Sequence, residues 1–246
     1  MKTLLKRVLA QCGVSVHRLP AGVVTGQDLA RDLSLVMGQK PNPCCIDVGA
    51  NDGGTIDLLH RCLNSPQIFA FEPNPTIFAA LQSKHGQTSG VRLIHAGLGD
   101  TVGTLTLQLF ANHTLNSFLP LSQNGRTRLD ASEAPQSATV PVLRLDDFAA
   151  GEKLEAIELL KVDTQGFELH VLRGAENLFA QQRIRAVLIE LNFADLYVGQ
   201  AAATDVIAFL RARGLHLVDF YEKCRHPPLL GWCTALFTQM SKTPSP

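Results

Sequence analysis

Short apolar runs alternate along the chain with stretches in which apolar residues recur at helical spacing. Such runs are typical of buried strands, and they occupy residues 44–48, 67–71, 91–95, 157–162, 186–191 and 215–220. Helical patterns cover residues 55–63, 74–84, 167–180 and 201–213. Because strand–helix–strand units form right-handed crossovers, the pattern predicts an α/β fold with a mostly parallel, doubly wound sheet.

Two regions depart from this rhythm. Segment 103–110 alternates with period two, and the strand-like pattern resumes at 139–148. The polar segment 111–138 between them predicts a long loop, which we expect to be mobile and to act as a partial lid. Near the C-terminus, GLHLVDFYEKC and GWCTALFTQM flank a Pro-Pro turn, a pattern that predicts a hairpin adding an antiparallel strand to the sheet.

The domain organisation follows from length and hydrophobic content. With 246 residues and 46% hydrophobic content, the chain can bury one sizeable core. We expect one catalytic domain over 41–240, an N-terminal helical extension over 1–40 and a flexible tail over 241–246. Lys6 and Arg7 interrupt the first apolar stretch, which favours an amphipathic helix over a signal peptide. The sequence has no run of 18 apolar residues, so it predicts no membrane-spanning helix. We expect a cytoplasmic protein.

Charge and cysteine usage narrow the choice of partner. The 22 basic and 22 acidic residues balance, so the net charge gives no indication of nucleic-acid binding and favours a small-molecule partner. The six cysteines form neither a CxxC motif nor a cluster with zinc-site spacing. We expect most of them to be reduced core residues.

The sequence CCIDVGANDGG at 44–54 takes the first strand into a small glycine-rich loop. It matches the dinucleotide-binding fingerprint only in part, because Asn51 occupies the position of the second glycine. Asp47 and Asp52 flank the loop, and no lysine or arginine lies within it. Two acids suit a pyrophosphate poorly, so the loop predicts a ligand that carries positive charge.

Glu72 ends the second predicted strand, 19 residues after Gly53. At this distance a carboxylate can accept hydrogen bonds from both hydroxyls of a ribose. A ribose and a cation in one crevice indicate S-adenosylmethionine. Asp47 or backbone carbonyls would receive its ammonium group, and loop amides at the helix N-terminus would receive its carboxylate.

Four segments resemble the FkbM family of S-adenosylmethionine-dependent methyltransferases, in the same order: DVGANDG, FEPNP, GLGD and LLKVDTQGFELHVLRGAENL. The resemblance covers about residues 44–215. It implies a Rossmann-like class I methyltransferase domain over 41–240, and methyl transfer to an oxygen, often a sugar or polyketide hydroxyl. Many relatives carry an acid where this chain has Gln165.

The candidate cofactor-binding residues lie in three of these segments: Asp47, Gly49, Asn51, Gly53, Glu72 and Asp100. Each has a structural alternative. Asp47 and Gly49 could belong only to a strand-to-helix turn, Glu72 could cap the next helix, and Asp100 could be a turn residue instead of lying near the adenine.

Asp163 and Glu190 are the candidate catalytic residues, with Asp163 preferred as the base. Asp163 follows a predicted strand at the edge where open α/β sheets bind ligands, although it could instead cap the next helix. With Asn192, the two acids form an oxygen set that a divalent cation would accept, but we favour a polar site without metal. Glu168 is interpreted as a first-turn acid that complements the helix dipole.

Two other classes of protein share the predicted fold. A nicotinamide-dependent oxidoreductase or epimerase would need a Tyr-x-x-x-Lys pair, and neither Tyr197 nor Tyr221 is followed by one. A non-catalytic nucleotide-binding protein would keep the fold without needing the acids. Titration with S-adenosylmethionine and NAD distinguishes the three classes.

Overall fold

A computed structural model describes residues 21–240. The amphipathic helix predicted at the start of the chain and the tail 241–246 lie outside these residues. Between residues 21 and 240, no helix is both long enough and apolar enough to cross a membrane.

The central sheet has seven strands in the order β3-β2-β1-β7-β8-β10-β9. The strands are β1 (Cys44–Val48), β2 (Gln67–Phe71), β3 (Val91–Ile94), β7 (Ile157–Val162), β8 (Ile184–Asn192), β9 (Leu215–His226) and β10 (Leu229–Gln239). The first five are parallel, and β10 lies antiparallel between β8 and β9. The predicted mostly parallel sheet with a C-terminal antiparallel hairpin strand is therefore confirmed.

Eight α-helices accompany these strands within the described part of the chain: α1 (Leu29–Met37), α2 (Gly54–Cys62), α3 (Pro75–His85), α4 (Gln123–Arg128), α5 (Leu145–Gly151), α6 (Glu168–Arg173), α7 (Glu176–Ala180) and α8 (Ala203–Ala212). Local sequence explains several of their ends. Asp28 accepts a hydrogen bond from Arg31 N at the start of α1, and Asn74 accepts from Thr76 N and Ile77 N at the start of α3.

The hydrophobic core lies on both faces of the central sheet. On one face, Ile46 and Val162 belong to a cluster shared with α5 to α8. On the other face, Cys45, Leu159 and Leu188 belong to a cluster shared with α1, α2 and α3. Alternate strand residues thus serve opposite helix layers, as a doubly wound sheet requires.

The predicted helix 167–180 is wrong as a single element, because the structure divides it into α6 and α7. Gly174 separates them, and a Cβ there would come within 2.0 Å of the carbonyl oxygen of Gly99. The carboxylate of Asp146 then accepts hydrogen bonds from Asn177 N and Leu178 N at the start of α7. The tertiary contact decides where the helix stops.

A second, three-stranded sheet has the order β4-β6-β5, with β4 at Gly97–Leu98, β5 at Gly103–Leu109 and β6 at Gln136–Leu143. The period-two strand prediction for 103–110 is confirmed. The strand prediction for 139–148 is wrong in its second half, since α5 begins at Leu145. That helix packs Leu145 and Ala149 into the core under the central sheet.

The expectation of a long unstructured loop over 111–138 is also wrong. The segment contains a 3₁₀-helix at His113–Leu115, helix α4 and the start of β6. Its Leu115, Leu121 and Ala131 pack against Leu196 and Tyr197 in a cluster of their own. The segment therefore forms a packed wall beside the central sheet.

Candidate functional site

A cavity of about 260 Å³ lies at the carboxyl edge of the central sheet and is named the first cavity here. It is lined from the ends of β1, β2, β7 and β8, and from the wall formed by segment 111–138. Five of the candidate site residues line it: Gly49, Asn51, Glu72, Asp163 and Glu190. The sheet topology therefore brings together residues from four separate parts of the sequence.

The loop after β1 has backbone conformations that few side chains tolerate. Gly49 has φ of +78°, and a Cβ there would lie 2.0 Å from the carbonyl oxygen of Asp163. Asn51 has φ of +48°. Its Oδ1 is buried and has no hydrogen-bond partner within residues 21–240, so a polar acceptor remains available at the cavity.

Gly53 contributes to the shape of the loop from outside the cavity lining. It has φ of +84° and stands at the N-terminus of α2. A Cβ there would lie 2.4 Å from Nε2 of His85, so the glycine lets the loop pack on α3.

Glu72 joins the loops that follow β1 and β2. Its Oε2 accepts a hydrogen bond from Asn51 N at 2.9 Å, and its Oε1 accepts one from Asn74 N at 2.8 Å. The side chain of Asn74 caps α3, so Glu72 is not the side-chain cap of this helix. Burial raises the pKa of Glu72, although these two hydrogen bonds oppose the shift.

Asp47 lies behind the glycine loop instead of lining the first cavity. It is fully buried, and Oδ1 lies 3.1 Å from Nζ of Lys161. Asp47 and Lys161 are neighbours in the register of the parallel strands β1 and β7, which places their side chains on the same face. Asp47 thus holds a cation of the protein itself.

Lys161 was not identified as a site residue from the sequence, where it stands in the apolar run LLKV. Its Nζ also donates to the carbonyl oxygen of Gly49 at 2.7 Å and lies 3.9 Å from Oδ2 of Asp163. Although burial lowers the pKa of Lys161, the carboxylates of Asp47, Asp163 and Glu190 raise it above its ordinary value. The lysine therefore links the cofactor loop to the candidate base. In the sequence, a lysine inside an apolar run that predicts a buried strand was the signal that could have identified Lys161 as a site residue.

Asp100 lies outside the lining of the first cavity. Its Oδ2 is 2.9 Å from Nδ1 of His170, and the imidazole of His170 stacks on Phe167 with ring centroids 4.3 Å apart. Asp100 thus ties the turn after β4 to α6.

Gln165 joins the two candidate catalytic acids. Its Nε2 donates to Oδ1 of Asp163 at 2.8 Å and to Oε1 of Glu190 at 3.2 Å. Asn192 Nδ2 donates to the same Glu190 oxygen at 3.2 Å. One amide group therefore holds two carboxyl groups side by side at the first cavity.

The two acids differ in their surroundings. The side chain of Asp163 is 40% exposed. Burial, followed by the charges of Asp163 and Glu168, raises the pKa of Glu190 well above its ordinary range. Two carboxyl groups in unlike environments can take different roles in acid–base chemistry.

Asp163 does not cap α6, because that helix begins at Glu168 and has no side-chain cap. The side chain of Glu168 instead turns back, and Oε1 accepts hydrogen bonds from Thr164 N and Gly166 N, both at 3.0 Å. Burial raises the pKa of Glu168 to about 7. Its role therefore extends beyond that of a first-turn acid, since it closes the loop that carries Asp163.

Tyr197 and Ser117 anchor the wall segment to this network. Tyr197 Oη donates toward Oε1 of Gln165 at 3.0 Å and lies 3.2 Å from the carbonyl oxygen of Leu115. Ser117 Oγ donates to the carbonyl oxygen of Gln165 at 2.7 Å. Sequence reasoning did not select these residues, because neither belongs to a motif and both approach the site only in the folded chain.

In the part of the chain covered by the structure, no group of three or more His, Cys, Asp or Glu residues is arranged to hold a metal ion. Asp163, Glu190 and Asn192 are instead connected by amide hydrogen bonds.

A comparison of the sequence with known protein families identifies the family to which this site belongs. The family model described as "Methyltransferase FkbM domain" matches residues 47–217, which is more than half of the chain. The chain belongs to the FkbM methyltransferase family. The predictions of a methyltransferase and of S-adenosylmethionine as its cofactor are thereby confirmed over the oxidoreductase and non-catalytic alternatives.

The chain is similar in sequence to three curated methyltransferases. It is 25% identical over 178 residues to the 2-O-methyltransferase NoeI of Sinorhizobium fredii, with 70% of this chain and 72% of the relative covered. It is 30% identical over 201 residues to the 31-O-demethyl-FK506 methyltransferase FkbM of Streptomyces tacrolimicus, with 73% and 75% covered. It is 28% identical over 149 residues to the hexuronic acid methyltransferase AglP of Haloferax volcanii, with 59% and 54% covered.

Proposed function

We propose that the protein transfers a methyl group from S-adenosylmethionine to a hydroxyl oxygen of a sugar, glycan or polyketide-type small molecule. The observation that carries the proposal is the pair Asp163 and Glu190, which Gln165 holds at the same cavity as the glycine loop and Glu72. The names of the relatives support oxygen as the acceptor atom, since one is a 2-O-methyltransferase and another acts on 31-O-demethyl-FK506.

The residues around the first cavity fit the methyl donor. Glu72 presents a buried carboxylate suited to ribose hydroxyls, and Asn51 offers an unpaired amide oxygen. Gly49 lets the loop lie directly against the backbone of Asp163, where a side chain would collide. Asp47 and Gly53 support the loop from behind. Asp100 holds the turn after β4 against α6.

Bound S-adenosylmethionine supplies a methyl group already activated by its sulfonium. The acceptor oxygen uses a lone pair to form the new C–O bond, while the C–S bond breaks and its electron pair stays on sulfur. The hydroxyl proton must then leave. Asp163 is positioned to receive it, because its carboxylate is partly exposed at the cavity and is oriented by Gln165.

Glu190 has a different part in this proposal. Burial and the neighbouring charges raise the pKa of Glu190, which favours the protonated form of this carboxyl. The neutral carboxyl can then hydrogen-bond to the acceptor hydroxyl and orient it toward Asp163. Positioning of this kind is the main contribution a protein makes when the methyl group is already activated.

A methyl-transfer assay with the Asp163→Asn variant tests the proposal. The wild-type protein is expected to move labelled methyl from S-adenosylmethionine to hydroxyl acceptors. Asp163→Asn should lower single-turnover rates by about 100-fold or more, because general bases typically contribute 10² to 10⁴. Its affinity for S-adenosylhomocysteine, measured by calorimetry, should stay within about threefold.

Asp205→Asn on the exposed face of α8 is the matched control, and its rate should equal that of the wild type. A folded Asp163→Asn variant with wild-type rates would remove Asp163 as the base and leave Glu190 as the remaining candidate.

We propose as well that residues 41–240 form the methyltransferase domain, and that the protein is cytoplasmic and has no nucleic-acid partner. The balance of 22 basic and 22 acidic residues supports the last point. Leu33 and Met37 of α1 pack into the core of the sheet, so this part of the N-terminal extension is fixed against the domain. Salt-resistant binding of duplex DNA or RNA would contradict the absence of a nucleic-acid partner.

A further inference from the structure

Methyl transfer needs room for two molecules, and the first cavity has room for one. Its volume is about 260 Å³, whereas pockets for single small ligands typically measure about 300–1,000 Å³. Gly49, Asn51 and Glu72, which suit the donor, form one side of its lining. The acceptor therefore needs a space of its own that still reaches the candidate base.

A second cavity of about 350 Å³ meets this requirement. It lies between α1 and α2 on one side and the strands β7, β8, β9 and β10 on the other. Asp163 and Glu190 line both cavities. A molecule in the second cavity would therefore meet the same two carboxyl groups as a molecule in the first.

A β-bulge brings Glu222 to the second cavity. Trp232 pairs with Cys224, and Thr234 pairs with Tyr221, so β9 has one more residue than β10 between these pairs. Glu222 lies in this bulge with φ of +48°. Its Oε2 accepts a hydrogen bond from Thr234 Oγ1 at 3.0 Å. Bulges of this kind commonly redirect a side chain next to an active site.

The other polar groups of the second cavity complete a lining suited to hydroxyl groups. Thr55 and Arg61 contribute from α2, and the exposed guanidinium of Arg61 makes no ion pair or hydrogen bond with residues 21–240. Leu58 and Leu188 provide an apolar surface between these groups. A sugar ring offers the complementary pattern, because its C–H face is apolar and its edge carries hydroxyls. An apolar acceptor would make no hydrogen bonds with Glu222, Thr234 or Arg61, so these side chains would not contribute to its affinity.

We propose that the second cavity is the acceptor site and that its ligand is a sugar ring or a glycan residue. One hydroxyl of the sugar lies against Asp163 and Glu190, and the others contact Glu222, Thr234 and Arg61. The inference rests on the proposed function and adds to it both the place and the chemical class of the acceptor.

The test uses the full chain with methyl glycosides of hexoses and hexuronic acids, and with a polyketide-type secondary alcohol for comparison. For the best glycoside, Glu222→Gln, Thr234→Val and Arg61→Gln should each raise the acceptor KM by about tenfold. Their dissociation constants for S-adenosylhomocysteine should remain within about twofold of the wild type. Arg211→Gln is the matched control, because Arg211 is an exposed arginine in the last turn of α8 and outside both cavities.

His113→Ala distinguishes the two possible acceptor positions, since His113 lines only the first cavity. A raised acceptor KM in His113→Ala, with no change in the three second-cavity variants, would overturn the inference. Methylation of the alcohol but not of the glycosides would overturn the sugar assignment and leave the proposed function standing. A wild-type protein that binds no S-adenosylhomocysteine and methylates neither class would overturn both.

Discussion

Gln165 determines how the two acids of the site are presented. It is a non-glycine residue with φ of +54°, a conformation that few side chains adopt. Ser117 holds its carbonyl oxygen, and Tyr197 holds its side-chain oxygen. The amide nitrogen is thereby directed at Asp163 and Glu190. A hydrogen bond donated to a carboxyl group favours its ionised form.

Replacement of this amide by an acid should shift the pH dependence of the reaction. Gln165→Glu removes the two N–H donors and adds a negative charge next to Asp163 and Glu190. Like charges and lost donors both raise the pKa of a carboxyl group, so the acidic limb of the kcat profile should move upward by about one pH unit or more. The profile is measured between about pH 5 and 9.

Gln87→Glu adds the same charge at an exposed position away from the site and should leave the profile unchanged. An acidic limb at the same pH in Gln165→Glu and the wild type would show that Gln165 does not influence the reacting carboxyl.

Glu72 should control the affinity for the donor. Glu72→Gln replaces one carboxylate oxygen by an NH₂ group, which would then face the N–H of either Asn51 or Asn74. We expect the variant to bind S-adenosylhomocysteine about 10 to 100 times more weakly, because hydrogen bonds to charged groups contribute roughly 1.5 to 3 kcal/mol each. Calorimetry gives the dissociation constant. Asp57→Asn, an exposed change in α2, serves as the control. Unchanged affinity in Glu72→Gln would exclude the proposed ribose contact.

Among the elements, the loop between β7 and α6 shows how a short segment is fixed without a conventional helix cap. Gly166 has φ of +93°, and both Thr164 N and Gly166 N donate to Glu168. The acid at the start of the helix thus satisfies the backbone of the loop before it. Burial of this acid makes the stability of the loop depend on pH.

The Glu168→Gln variant should reveal that dependence. The pKa of Glu168 in the folded protein is about 7, raised from the ordinary value of 4.5. The folded state therefore binds the proton more tightly, so the stabilisation is complete below about pH 4.5 and is lost as the pH rises through 7. Relative to Glu168→Gln, whose amide oxygen can still accept both N–H groups, the wild type should lose about 2 to 3 kcal/mol between pH 5 and 8.

Urea unfolding at the two pH values measures this difference. Glu176→Gln in α7 changes an exposed acid paired with Arg213 and should show little pH dependence in this range. A constant difference between wild type and Glu168→Gln at both pH values would contradict a raised pKa in the folded state.

At the scale of the whole molecule, a buried acid attaches the segment before β1 to the far edge of the sheet. Asp32 in α1 is fully buried, and Oδ2 accepts hydrogen bonds from Gly26 N at 2.8 Å and from Tyr221 Oη at 3.1 Å. Thr25 N donates to the same oxygen. The start of the described chain is therefore connected to β9 near the end of the fold.

Loss of this connection should destabilise the whole domain. Asp32→Ala removes the acceptor of the buried Tyr221 hydroxyl and of the partly buried amides of Thr25 and Gly26. We expect a loss of about 3 kcal/mol or more in the free energy of unfolding. Asp28→Ala removes only the exposed cap of the same helix and should cost about 1 kcal/mol. Urea unfolding compares the two variants, and equal losses would show that the Asp32 network does not stabilise the domain.

The sequence alone determined the elements whose signal is local. Apolar runs located the central strands, because a strand buried on both faces has little choice of residue. The helical pattern over 74–84 predicted α3, which the structure has at Pro75–His85. Gly49, Glu72 and Asp163 could be assigned to one site in advance, since parallel strands end at the same edge of a sheet.

Tertiary structure decided the contacts between residues far apart in the chain. Lys161 meets Asp47 through the register of β1 and β7, and Gly99 ends α6 through its contact with Gly174. Segment 111–138 becomes a packed wall only because Leu196 and Tyr197 cover its few apolar residues. Such contacts depend on which surfaces the fold brings together, and a local pattern carries no information on that choice.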